Sequence, residues 1–394
     1  MPTIIRNIRP WGEPASDVFI DISGTITAVQ PHDPGRVDGP EDNVINGRGL
    51  LGLPTFVNTH AHVDKSWLGL PWQSYGGQAT TQGRIAWERE KRDRLGIPST
   101  SITSAVLREF LKHGTTAIRT HVDVDLGLGL HGIEVVREAV ADLDGAMTAQ
   151  IVAFPQDGVL RRPGVDQLLR KAATAGADFI GGLDPASIDR DPVGQLDLLF
   201  DIAADTGAGI DIHLHDPAEL GAFQFDLIID RTQKYGLPQG KVNVAHGFAL
   251  AQVDPIRRAE LLTAMAELGI TMTTVAPLRL PQLPLAEFDA AGVNFGFGTD
   301  GIRDLWSPYG TGDSLGIAWQ YARASSIAKD EDLLRVVRIL TSGAAAFVGR
   351  DVHDLVPGAR ADIVLLDAEN PMDALVRVPR RELVISQGNI VHQE

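Results

Sequence analysis

The chain has 394 residues and not one cysteine. Disulfides, thiolate nucleophiles and thiolate metal ligands are therefore excluded, and any bound metal must be held by nitrogen and oxygen donors. Positive charge is also scarce. Fifty-one acidic residues against 35 Lys and Arg leave a formal net charge of −16. Nucleic acids and anionic membranes call for a basic face, so neither is expected as a partner. No run approaches the roughly 18 apolar residues of a membrane-spanning helix. The opening MPTIIRNIRP has no long apolar core and no small-residue cleavage pattern, so no signal peptide is expected and the cytoplasm is the default location.

What is present suits a large globular enzyme. Hydrophobic residues make up 44% and charged residues 22%, ordinary values for such a chain. The length fits a large barrel plus a satellite domain. Near the start, Asp17–Val29 alternates around Ser23-Gly24 and reads as a hairpin. Near the end, Asp362–Asp367 is a short apolar run and Glu382–Val391 a second hairpin-like stretch. The two β-rich ends, 1–53 and 347–394, predict one small composite β-sandwich domain.

The centre, 54–346, alternates short β-branched runs with helix-forming segments. Strands are predicted at Thr55–His60, Ala117–Val122, Ala149–Phe154, Asp178–Leu183, Gly209–Leu214, Lys241–His246, Ile270–Val275 and Val293–Thr299. Helices are predicted at Thr103–His113, Ile133–Leu143, Asp166–Ala175, Gly194–Ala204 and Pro255–Leu268. Alternating units imply an α/β fold with a parallel sheet. Eight of them predict a (β/α)8 TIM-like barrel, with an open doubly wound sheet as the alternative that pattern alone leaves.

Polar residues favour the barrel. His60, His121, Gln156, His213, His246 and Asp300 all fall at strand ends, the face on which barrels build active sites. In an extended chain residues i and i+2 face one side, so His60 and His62 can aim at one point. His213 and Asp300 join them as metal ligands. Three imidazoles and a carboxylate suit Zn, Fe, Mn or Ni. The run Glu88–Arg94 (EREKRDR) mixes both charges and reads as a solvated helix face.

These residues carry a resemblance. Gly52–Lys65 (GLPTFVNTHAHVDK), Arg119–Val124, Ile151–Gln156, Asp211–His213, Ala245-His246 and Gly298–Asp300 resemble the signatures of the amidohydrolase superfamily. Within it they are most similar to the cytosine-deaminase-like branch, which includes cytosine deaminases and N-isopropylammelide isopropylaminohydrolases. The stretch Ile302–Asp313 (IRDLWSPYGTGD) leans toward the second group.

The resemblance implies metal-dependent hydrolysis of an exocyclic C–N bond on a nitrogen heterocycle such as a pyrimidine, a triazine or a creatinine-like ring. It implies one divalent ion per chain, Zn or Fe. Relatives with two metals often bridge them through a modified lysine on the fourth strand, and here that strand (DFIGGLD) has none. Asp300 would also take a proton during the reaction, and His246 would assist beside the metal. Asp216 matches a glutamate that shuttles protons, with His215 as the other candidate. By its residues alone, Asp216-Pro217 also reads as a helix N-cap.

Gln156 would meet a ring amide, since its side chain offers both a donor and an acceptor. Lys65 would reach a substrate carbonyl or a neighbouring carboxylate. Trp72 and Trp306, with Trp67, would wall a flat ring, or pack under loops or at a subunit contact. His121 and Asp123 would support the site. Gly301 departs from the Asp or Asn that relatives carry, and is expected to leave space. Relatives commonly form homo-oligomers. The alternatives are a ring-opening cyclic amide hydrolase and a barrel that binds metal without catalysis.

Overall fold

A strand that is apolar on one face and polar on the other inside a barrel needs two coverings, and Gly209–Leu214 supplies the pattern. Ile210, Ile212 and Leu214 join the main apolar core with the surrounding helices, while Asp211 and His213 alternate to the opposite face. The structure is a computed structural model that describes residues 1–39 and 42–394. Pro40 and Glu41, inside the expected N-terminal β segment, lie outside the described residues.

All eight expected central strands are present: Phe56–His62, Thr115–Asp123, Thr148–Phe154, Phe179–Leu183, Gly209–Leu214, Val242–His246, Thr271–Thr274 and Phe295–Phe297. Each pairs in parallel with the next. After the eighth, the chain passes Gly298-Thr299 and forms a two-residue strand, Asp300-Gly301, which pairs in parallel with Ala61 and His62. The last strand thus returns to the first, and the nine-stranded sheet has the curl of a (β/α)8 barrel. A glycine makes this return possible. A Cβ on Gly298 would lie 2.3 Å from the Cβ of His60, far inside van der Waals contact.

The predicted helices occur at Thr100–Lys112, His131–Ala141, Val165–Thr174, Pro192–Thr206 and Pro255–Leu268. Two begin at an Asp-Pro step. Asp191 accepts from Gly194 N, and Asp254 from Ile256 N and Arg257 N. In each case the carboxylate satisfies amides at a helix start where proline needs none. Among the described residues no helix is long and apolar enough to cross a membrane.

The two chain ends do meet. They form a single seven-stranded sheet whose central strand, Asn43–Pro54, pairs in parallel with Thr3–Pro10 and antiparallel with Ile363–Leu366. Both expected hairpins are formed, Ser16–Ile20 with Ile26–Pro31 and Arg381–Ser386 with Asn389–Gln393. Ile26 and Ile385, near opposite ends of the sheet, share one apolar cluster with Ile5, Ile8, Val18, Ile363 and Leu365. The continuous sheet therefore bends over a core of its own.

Candidate metal centre

His60 and His62 project from the first strand, His213 from the fifth, His246 from the sixth and Asp300 from the short strand beside the first. All four imidazoles are buried. Nitrogens of His60, His62 and His213 lie within 4.8 Å of one another, as do donor atoms of His60, His246 and Asp300. His62 Nε2 stands 3.2 Å from His213 Nε2. Asp300 Oδ1 is 3.3 Å from His62 Nε2 and 3.6 Å from His60 Nε2.

These separations fit one ion. Donors ~2.0 Å from a tetrahedral metal stand ~3.3 Å from each other. Both nitrogens of His60 and of His246, and Nδ1 of His62 and His213, are buried without a hydrogen-bond partner. Buried polar atoms are normally satisfied, so a set of orphans converging with a carboxylate suits a cation. Burial and the nearby Lys65 charge push the His62 imidazole down to about 3. Burial and neighbouring histidines hold His213 and His246 well below the usual range. Neutral imidazoles are the form that binds metal. Burial alone would raise Asp300, but contacts with His60 and His62 outweigh it and keep the carboxyl well below the ordinary range.

The backbone is bent to aim these groups. Asp184, His246 and Asp300 carry φ of 33°, 70° and 60°, left-handed values that cost a non-glycine residue about 1–2 kcal/mol. His246 closes the sixth strand, Asp184 directly follows the fourth, and Asp300 opens the short strand that pairs with the first.

Around the donors lie the groups able to move protons. The His215 ring stacks on His246 with centroids 4.1 Å apart. Its Nδ1 meets Asp184 Oδ2 at 2.9 Å. Burial lowers the His215 pKa, but Asp184 outweighs this and raises it above the ordinary value. Asp216 is committed elsewhere: one oxygen accepts from Ser187 Oγ and the other from Gln224 Nε2. Nor does it cap the next helix, which starts behind Pro217 with no side-chain cap. His121 sits beneath, its ring 4.3 Å from that of His60 and 4.5 Å from that of His213.

The residues assigned to a ring behave differently from one another. Phe154 stacks on His213 at 4.1 Å and joins Ile85, Leu183, Ile188 and Trp306 in an apolar wall. Gln156 Nε2 and Trp306 Nε1 both donate to Glu88 Oε2, at 3.3 and 2.8 Å. Lys65 is buried and held by Asp123 Oδ1 at 2.7 Å, with Glu88 Oε1 at 3.7 Å. Of its two expected partners, the neighbouring carboxylate takes it. Trp72 is 69% exposed and packs edge-on against Trp67, away from the wall just described.

Two expectations need correction. The charge run is not wholly a solvated face: on the helix Thr81–Leu95, Ile85, Glu88 and Arg92 are buried. Arg92 forks onto Asp125 at 2.6 and 3.0 Å, and Glu88 receives the donors above. Spacings of three and four residues put this polar stripe inward. Gly301 does not leave space either. A Cβ there would lie 1.7 Å from Asp304 Oδ2, so the Asp304 carboxylate fills the volume. Burial and nearby Asp300 push Asp304 up to about 6.

The sequence model of the amidohydrolase family matches residues 43–392. This chain belongs to the amidohydrolase family. N-isopropylammelide isopropyl amidohydrolase of Pseudomonas sp. (strain ADP) is 29% identical to this amidohydrolase over 366 residues, 90% of this chain and 89% of that one. The solved N-isopropylammelide isopropylaminohydrolase from Burkholderia multivorans ATCC 17616 is 41% identical with a TM-score of 0.93, covering 99% of this chain and 98% of that one. The 5-methylcytosine deaminase from Klebsiella pneumoniae shares the fold, with a TM-score of 0.85 at 24% identity over 100% of this chain and 98% of that one.

Four residues of this amidohydrolase's site were not singled out from sequence: Phe154, Asp184, Glu88 and Asp304. Asp184 directly follows the fourth strand, so the strand-end rule that marks His213 could have marked it too. Glu88 gives no such signal, because it opens a run of charged residues on a helix and sits at no strand end.

Proposed function

We propose that this amidohydrolase cleaves an exocyclic C–N bond on a neutral nitrogen heterocycle. Water adds to the ring carbon, the C–N bond breaks, and a ring carbonyl and free ammonia or an alkylamine result. The observation that carries this reading is the convergence of His60, His62, His213 and Asp300, with His213 3.2 Å from His62 and Asp300 3.3 and 3.6 Å from His62 and His60, beside the His215–Asp184 pair and an apolar wall. One divalent ion, Zn or Fe, would be held by those four residues, and would supply an acidified water at neutral pH.

The chain's own groups do the rest. Asp300 accepts a proton on a carboxylate oxygen. His215 carries a proton toward the leaving nitrogen, with Asp184 fixing its Nδ1 and favouring the protonated ring. His246, stacked on His215, offers polar contact to the new oxygen. Phe154, Leu183 and Trp306 present apolar surface to a flat ring. The similarity to two enzymes named for isopropylammelide supports an alkylamine as the leaving group. In the same reading, 1–53 and 347–394 form the composite β domain and 54–346 the hydrolase barrel.

Ring opening is the second reading, and the lysine-free fourth strand stands against it. The test is amine release by metal-reconstituted protein on cytosine, isocytosine, creatinine, ammelide and N-alkylated triazines. Amine from one of them, lost in His213→Ala, is the expected result. Loss of ring absorbance with no amine would establish ring opening instead.

A further inference from the structure

Glu88 is 2% exposed, on the helix Thr81–Leu95 that follows the first strand. Burying a carboxylate is costly unless partners surround it. Its partners come from three separate strand-end loops: Lys65 after the first strand, Gln156 after the third and Trp306 after the eighth. Three of the four residues that the sequence marks as ring contacts therefore meet at one acid on a helix.

We propose that Glu88 is a positioning residue that sets the hydrogen-bond polarity of the ring pocket, so that the pocket selects a neutral ring with an N–H on the edge facing Gln156. The inference rests on the aminohydrolase reading above and deepens it. Burial pushes the Glu88 pKa up, against the Lys65 charge and the Trp306 N–H. The indole N–H can only donate, so the Glu88 oxygen that it meets is an acceptor. That oxygen therefore turns the Gln156 NH2 toward itself and leaves the Gln156 carbonyl Oε1 on the opposite arm. Among the described residues no protein donor meets that oxygen. The indole N–H of Trp306 is likewise consumed, so Trp306 offers a ring only its apolar face. Lys65 is neutralised between Glu88 and Asp123, so an anionic ring gains no free cation there. Ile85, one helical turn before Glu88, completes the apolar wall, so the same helix supplies both surface and polarity.

The experiment is a double-mutant cycle on the metal-loaded full chain. The probes are ammelide and cyanuric acid, flat rings that present N–H beside C=O, the latter kept neutral by working at pH 6. Binding is read by calorimetry, and metal content and melting temperature are recorded for each variant. Glu88→Gln and Gln156→Ala should each weaken binding about tenfold, the loss expected for one hydrogen bond dependent on a charged group. The double variant should bind within about twofold of Gln156→Ala, because both changes remove the same contact. Metal content should stay unchanged. A merely structural role would give additive losses, and additive losses with wild-type binding intact would overturn the proposal. Failure of the wild type to bind either ring would overturn this proposal, whereas the ring-hydrolase reading falls separately, on the absence of amine release from the wider set of rings above. If Glu88→Gln does not fold, Glu88→Asp keeps the charge beside Lys65 but draws the acceptor back from Gln156, and the cycle is run with it under the same criteria.

Discussion

His62 Nε2 lies 3.2 Å from His213 Nε2, although the two residues are 151 positions apart in sequence. Two imidazole nitrogens at that distance, neither able to satisfy the other when both are lone pairs, are arranged for a shared cation. His213→Ala should lower metal affinity at least about 100-fold, since it removes a direct ligand where even supporting groups cost 10–100-fold. His246→Asn should retain the metal but lose turnover. Metal analysis of the purified variants checks both. Full metal occupancy in His213→Ala would refute the ligand set.

The two candidate proton carriers are separable. His215 has Asp184 behind it and His246 against its face, whereas Asp216 spends both oxygens on Ser187 and Gln224. His215→Asn should lower kcat by about 10²–10⁴. Asp216→Asn should cost less than about tenfold in kcat, and about 1–2 kcal/mol of stability. Steady-state kinetics with urea unfolding decides; the reverse ranking would return the role to Asp216.

Gly301 and Asp304 form a matched pair, with Asp304 Oδ2 where the Cβ of residue 301 would stand. Gly301→Ala should destabilise by about 1–3 kcal/mol through overpacking. Adding Asp304→Ala should recover most of that loss. Melting curves of the single and double variants test it, and no recovery would mean that the two positions are not coupled.

Stability should fall in acid partly through Asp362, at the junction of the bent sheet and the barrel. Burial opposes its ionisation, but Arg350 at 2.7 Å and Arg360 at 2.9 Å outweigh this and hold the carboxyl below its ordinary value. A pKa lowered by folding contributes stability above the unfolded value of about 3.9, and loses it as pH falls through the folded value. Asp362→Asn should therefore be much less stable than the wild type at pH 7, with the gap shrinking below about pH 4. A gap unchanged down to pH 3 in urea titrations would count against this.

Some of this protein could be read from the order of its residues. The eight strands and five of the helices follow from local periodicity, because period 2 and period 3.6 are set by backbone geometry within a few residues. Both terminal hairpins follow from turn chemistry in the same way. The strand-end positions of His60, His62, His213 and Asp300 were equally legible, since a parallel barrel places every strand end on one face.

Only the tertiary structure decided the rest. Glu88 and Arg92 sit in a run whose composition reads as solvated, and they are buried because the site faces that helix with Lys65, Gln156, Trp306 and Asp125. Gly301 reads as space, and it is filled by a carboxylate three residues on. Asp216-Pro217 has the same local pattern as the two Asp-Pro steps that cap helices, yet Ser187 and Gln224 take its oxygens. In each case the local sequence is compatible with two arrangements. A partner brought close by the fold, and not by the chain, selects between them.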